Sequence, residues 1–210
     1  MTGVQTCALP ICKGGPDKHT LFREMLKAAK KRGLTPDFVA FDGWYAATKT
    51  MRMIREELGW EFVTRLKKNR QVSFSDGPKL RVEHLDWGPE TAARVHVKSF
   101  GLGKVCRIVP RKTRDTIYLL ASCETWTGEQ IEEAYDHRPV IEEVFRGAKQ
   151  ALCLGRCQAR SAQAQRNHIH FALRSLIQTE RRRGRDGTTI YQQRAELFRE
   201  ATRAHLTALA

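Results

Sequence analysis

The short apolar run Phe38–Phe41, closed by Asp42 and Gly43, constrains this chain more than any other feature. Four apolar residues bounded by polar ones are too few for a buried helix but suffice for a short buried strand. On either side the pattern is helical. HTLFREMLKAAKKRG places Leu21, Met25 and Ala28 on one stripe and ends at Gly33; WYAATKTMRMIREELG follows and stops at Gly59. WEFVTRLKKNRQV then gives a second strand over residues 62–66 with a basic exit of Arg65, Lys67, Lys68 and Arg70. Helix, strand, helix and strand in sequence predict an α/β fold. A carboxylate at the carboxyl end of a buried strand lies where such folds bind ligands, so Asp42 is a candidate site residue. Capping of the next helix explains Asp42 equally well. Asp37, before the strand, is the weaker candidate.

From residue 72 to 123 the period changes. LRVEHL, ARVHVKSF, KVCRIV and TIYLLAS are short alternating segments punctuated at Asp76–Pro78, Gly88–Pro89 and Gly101–Gly103, which predicts an antiparallel β insertion. Trp87 and Trp126 fall in or beside it; either could stack on an unpaired base, but core packing is the better reading of both. Thr127 and Gln130 make a capping-box start for the chain that follows.

Residues 135–149, YDHRPVIEEVFRGAK, read as one helix, with Pro139 suited to a first turn and Asp136 to a cap. At about 100° per residue, Tyr135, Arg138, Glu142 and Lys149 fall within a sector roughly 60° wide. Glu143 lies about 100° away, so the geometry selects Glu142. A carboxylate between two cations and a phenol suits an anionic substrate held against a metal. On spacing alone, a solvated face with i,i+4-type ion pairs is the better reading.

The spacing Y-x2-R-x3-E-x6-K, followed by QALCLGRCQARS, resembles the Y-R-E-K signature of DDE-type insertion-sequence transposases. The resemblance implies a ribonuclease H-like domain that holds two divalent metals on two aspartates and one glutamate. Glu142 then takes the role of the third acid. Asp42, which the family also follows with a small-residue and tyrosine turn, takes that of the second. Both would be catalytic and metal-binding, with Mg2+ (or Mn2+) as the cofactor, and Tyr135, Arg138 and Lys149 would face DNA. Hard carboxylate oxygens suit such a cation. The family also carries a β insertion between its second aspartate and its glutamate. The implied activity is cut-and-paste transposition on insertion-sequence ends and target DNA, by a homodimer in the full-length protein.

The formal charge of +14, from 37 Lys and Arg against 23 Asp and Glu, independently points to a polyanionic partner. Residues 156–210 hold eleven Arg against four acids, half of that excess. No apolar run approaches the ~18 residues of a membrane span, so no membrane partner is expected. Six cysteines without a compact disulfide framework suit a reducing cytoplasm. Cys153 and Cys157 with His168 and His170 have spacings poor for structural zinc.

Two helices are expected beyond Gly155. SAQAQRNHIHFALRSLIQTERRRG backs Ile169, Phe171, Leu173, Leu176 and Ile177 onto a core; RRRGRDG forms a loop; a last amphipathic helix follows.

Residues 1–12 stand apart. MTGVQTCALPI is too short, and too poor in basic residues at its start, for a secretory signal. It resembles an in-frame translation of a sequencing-library adapter over eleven consecutive residues and is set aside as an artefact. Upstream of Asp42 no apolar strand carries an acid, so the expectation is a C-terminal part of a transposase that lacks the first catalytic aspartate and is inactive as it stands. The expected organisation is a partial ribonuclease H-like domain over 13–70 and 127–180, a β insertion over 71–126, and a C-terminal loop and helix over 181–210. Two alternatives explain less. A non-catalytic DNA-binding protein accounts for the charge but not the Tyr-Arg-Glu-Lys face. Another ribonuclease H-like nuclease accounts for the acids but not the insertion.

Overall fold

The computed structural model describes residues 17–74, 77–87, 90–109 and 115–209, in two compact units, 17–138 and 139–209. The adapter-like segment 1–12 and the turn residues Asp76, Gly88 and Pro89 lie outside the described residues.

The first unit is built on one mixed sheet. Helix α1 (Lys18–Lys31) starts at Asp17, whose side chain accepts the Thr20 N–H at 2.8 Å, and ends with Lys30 and Lys31 in its last turn. Strand β1 (Phe38–Phe41) follows, then a 3-10 turn (Gly43–Tyr45), helix α2 (Thr48–Arg52) and a π-helical turn (Met53–Glu57). β2 (Glu61–Leu66) runs parallel to β1, with Phe38 opposite Glu61 and Phe41 opposite Thr64. The other strands are β3 (Gln71–Ser73), β4 (Leu80–Arg81), β5 (Ala92–Val97), β6 (Gly101–Ile108) and β7 (Ile117–Ala121). They extend the same sheet in the order β1-β2-β7-β6-β5-β3-β4, with every pairing beyond β1–β2 antiparallel. The predicted β-rich stretch is therefore antiparallel, and it continues the sheet through β7 on β2.

Apolar residues fill both faces of the sheet. Phe41, Phe62, Val105 and Leu120 pack with Met51, Ile54 and Leu58 on one face. Val63, Leu119 and Ala121 pack with Ile131 and Ala134 of α3 (Gly128–Asp136) on the other. Alternation along β2 and β7 sends successive side chains to opposite cores, which is why both strands read as near-continuous apolar runs. The capping box at Thr127 and Gln130 is present. Trp87 is buried and stacks on Tyr118, while Trp126 meets Phe38 edge-on, so both pack as expected.

Several local expectations need correction. On α1 the packed stripe is Phe22, Leu26 and Ala29, whereas Leu21 and Met25 are 42% and 68% exposed. The Phe22 ring meets both Phe41 and Tyr45, and its larger apolar area fixes the face. The helix expected after Gly43 is interrupted. Asp42 caps only a 3-10 turn, Ala47 is extended, and the Leu58 N–H reaches back five residues to Met53. That wide turn lets Met51, Met53, Ile54 and Leu58 all be buried. LRVEHL supplies only the two residues of β4 before a 3-10 turn that buries Val82. Gly101 and Gly103 open β6, and the chain reverses one step earlier, around Ser99.

Residues 135–149 are not one helix. α3 ends at Asp136, and α4 (Val140–Ala151) begins after a three-residue turn, with no side-chain cap. Pro139 has no N–H for the Tyr135 carbonyl, and its ring would collide with it in a continuous helix. The Tyr135 carbonyl accepts the Arg138 N–H instead, at 2.9 Å. Tyr135 and Arg138 thus fall in the first unit, Glu142 and Lys149 in the second.

The second unit is helical: α4, α5 (Ala162–Asp186) and α6 (Ile190–Leu209). Ser161 caps α5 through the Ala164 N–H. The expected loop RRRGRDG is helical up to Asp186, and Gly187, at φ 73°, ends the helix in place of Gly184. Arg182 pairs with Asp186 at 3.2 Å and with Glu196 at 2.8 Å, and Arg183 pairs with Glu180. The i,i+4 pair Arg182–Asp186 and the i,i+3 pair Arg183–Glu180 offset part of the roughly 1 kcal/mol that Gly184 costs a helix. Of the five apolar positions expected on α5, Ile169 and Leu176 are half-buried and the other three are not. Phe171 is 64% exposed, Leu173 and Ile177 are exposed too, and Ala172 alone on that helix is buried. α6 is held by polar bonds: Gln193 Nε2 donates to the Thr179 and Thr188 carbonyls, and the Tyr191 hydroxyl donates to Gln150.

Two stability measurements check this packing. Phe22→Ala is expected to destabilise by about 1–3 kcal/mol, since the ring is only partly buried. Met25→Ala should stay within about 0.5 kcal/mol in the same denaturant titration. A Cβ on Gly43 would meet the Arg65 carbonyl oxygen at 2.5 Å. Gly43→Ala is therefore expected to lose about 1–3 kcal/mol, because backbone rather than a flexible side chain must move. Unchanged stability would contradict that close approach.

Candidate functional site

The residues around Asp42 form a constellation drawn from three segments of the first unit. The Thr64 hydroxyl, buried in β2, donates to the Phe41 carbonyl at 3.0 Å and pins the end of β1. Gly43 then passes against the Arg65 backbone, where no side chain would fit. Asp42 is held between these two contacts, with its side chain 48% exposed.

Both carboxylate oxygens of Asp42 are engaged. Oδ1 accepts the Trp44 N–H at 2.9 Å, and Oδ2 accepts Nη2 of Arg138 at 3.0 Å. The capping role is thus real, and it leaves the second oxygen facing a guanidinium. Arg138 follows directly on α3, whose Ile131 and Ala134 anchor it to the sheet. Tyr135, one turn back on α3, packs into the same cluster. Burial pushes its phenol above the ordinary tyrosine value; Asp42 raises it further, while Arg138 and Arg65 pull it down. Tyr135 is therefore a neutral phenol at neutral pH, able to donate a hydrogen bond.

The structure thus brings Asp42, Tyr135 and Arg138 together within one unit. Glu142 lies in the first turn of α4 and Lys149 in its last. Seven residues apart on one helix, they share a face to within about 20°, and each sign suits its end of the helix dipole. Asp37 precedes β1 and caps no helix among the described residues.

The donor chemistry of Asp42 suits a hard divalent cation: each oxygen keeps lone-pair capacity beyond its one hydrogen bond. No group of three or more His, Cys, Asp or Glu side chains placed to hold a metal occurs among the described residues. His168 Nε2 instead lies 3.0 Å from the Cys153 carbonyl oxygen. No described helix is long and apolar enough to cross a membrane.

Sequence spacing did not reveal the Asp42–Arg138 pair, because its members lie 96 residues apart. It also passed over Trp44, which is 65% exposed next to the acid. The signal was available: an aromatic two residues beyond a strand-end carboxylate, in a turn too short to bury it.

A family model described as a transposase DDE domain matches residues 6–178, which includes part of the adapter-like segment. No curated protein matches the chain. The matched span covers most of the sequence, and the mixed α/β sheet with C-terminal helices is consistent with a ribonuclease H-like domain of this kind. The chain belongs to the transposase DDE domain family.

Proposed function

We propose that this chain is part of a cut-and-paste DNA transposase that acts at insertion-sequence ends, with Asp42 and Glu142 as metal-binding acids. The observation that carries the reading is the carboxylate of Asp42 at the end of a parallel strand, with the Arg138 guanidinium 3.0 Å away. The nearness of Arg138 and Tyr135 to this strand-end acid supports the reading.

Each residue has a role in this reading. Asp42 and Glu142 supply hard oxygen ligands for magnesium or manganese. Bound divalent metal activates a nucleophile and stabilises the leaving oxygen in phosphodiester chemistry. Arg138 and Lys149 neutralise phosphate, and the neutral Tyr135 phenol donates a hydrogen bond beside them. The whole protein works as a homodimer on transposon-end and target DNA, in the cytoplasm. Residues 1–12 are foreign to this activity.

The chain is expected to bind DNA with strong salt dependence, because phosphate contacts release counterions. Arg138→Gln or Lys149→Gln should weaken binding and lower the salt slope by about one each. Arg203→Gln, on the exposed face of α6, should do much less. Equal losses at all three positions would reduce the signature cations to general surface charge.

The spacing patterns assign only two acids of the family's three, so the chain alone is expected to leave end-sequence DNA uncut with magnesium or manganese. Two carboxylates hold a hard cation weakly and do not stabilise nucleophile and leaving group together. Nicking by this chain that disappears in Asp42→Ala would show that its own acids suffice.

A further inference from the structure

The Arg138–Asp42 pair joins two groups whose assigned ligands are of opposite charge. Asp42 suits a divalent cation and Arg138 a phosphate, yet each holds the other at 3.0 Å. The pair runs through Oδ2 alone, because Oδ1 is turned to the Trp44 N–H. A planar guanidinium hydrogen-bonds carboxylate and phosphate oxygens in the same geometry, so Arg138 passes from one to the other without a change of chemistry. A divalent cation has no such exchange open to it. Oδ2 keeps lone-pair capacity, but a cation there would lie close to the guanidinium, and the two charges repel.

Each member of the pair is placed by other contacts. Asp42 is fixed by Thr64 and Gly43 at the β1–β2 junction. Arg138 is fixed by its own N–H on the Tyr135 carbonyl at 2.9 Å, behind the packed face of α3. Side chains 30% and 48% exposed form a pair that adds little to stability and opens by side-chain rotation alone. Arg65 supplies a comparison within the same cluster. It too pulls the Tyr135 phenol down, so its charge is felt there. The hydrogen bonds of the Asp42 carboxylate, however, go to Trp44 and Arg138.

We propose that Arg138 is a latch on Asp42: without DNA it neutralises the carboxylate, and a phosphate that draws it away releases the acid to a divalent cation. The inference rests on the transposase reading and deepens it by giving the same site a regulation. Phosphate favours the state in which Arg138 has left the acid, and so does a cation on Asp42. Two ligands that favour one state raise each other's affinity by the same factor. The acid therefore stays masked until nucleic acid arrives, which disfavours a metal-charged site with no substrate in it.

Two binding measurements on the full chain test the latch, and neither reads cleavage. In EDTA, Asp42→Asn should tighten binding of a short duplex by about 2- to 5-fold. Asparagine keeps an oxygen for the Trp44 N–H but no longer holds the guanidinium. In an Arg138→Gln background the same change should bring no gain, whereas in an Arg65→Gln background the gain should persist. Equal gains in all three backgrounds would show that Asp42 merely repels phosphate, and would overturn the latch. Without DNA, Arg138→Gln should tighten Mn2+ binding by about 2- to 5-fold in calorimetry, and Arg65→Gln by less. Equal effects of the two substitutions, or none, would also overturn it. A chain that binds no DNA would count against the transposase reading, and the Mn2+ comparison then decides the latch by itself.

Discussion

The parallel pairing of β1 with β2 is the constraint on which the first unit depends. It is only four residue pairs long. Two contacts at its carboxyl end make it definite: the buried Thr64 hydroxyl on the Phe41 carbonyl, and Gly43 against the Arg65 backbone. The first fixes register, since a slip of one residue would send every side chain of β1 to the other face. The second brings the following turn down onto β2. Asp42 and Trp44 inherit their positions from this junction, and so does the place where Arg138 meets the acid. The antiparallel strands then build outward from β2 through β7, so the β-rich stretch also takes its frame from the same strand.

Charge is arranged differently at the acid and away from it. The Arg138–Asp42 pair is half exposed, and a pair of that kind is worth about 0–1 kcal/mol. Its contribution is to position rather than to stabilise. A metal ion or a phosphate competing for either partner therefore displaces little folding free energy. The excess arginines of the second unit are partly spent on each other's neighbours: Arg182 bridges Asp186 and Glu196, tying α5 to α6. A formal charge of +14 thus overstates the cations left facing outward, yet still leaves the protein strongly basic.

The sequence was most legible where local pattern and tertiary packing agree. β1, β2, the antiparallel strands, the capping box at Thr127 and the end of α1 before Gly33 all follow from apolar runs and cap chemistry that the core reinforces. It misled where two local readings compete. Leu21-Met25-Ala28 and Phe22-Leu26-Ala29 have the same spacing, and only the partner rings of Phe41 and Tyr45 choose between them. RRRGRDG contains two glycines, and ion pairs with Glu180, Asp186 and Glu196 carry the helix through the first of them. In residues 135–149 the helical wheel was drawn through a proline that the backbone does not cross as one helix. Asp42 could be found from a strand end, but its guanidinium partner is 96 residues away and no periodicity connects them.

β1 closes one end of the described sheet, so among the described residues it is paired by hydrogen bonds on one side only. Strands of this kind open by local fluctuation at a lower free energy than the central ones, whose amides exchange only on global unfolding. The acid of the candidate site is thus carried on an edge strand of the described sheet. Its geometry is set by a local equilibrium, distinct from the stability of the fold as a whole. Anything that lies along that edge or fills the turn beyond it would slow amide exchange there without raising the melting temperature in proportion.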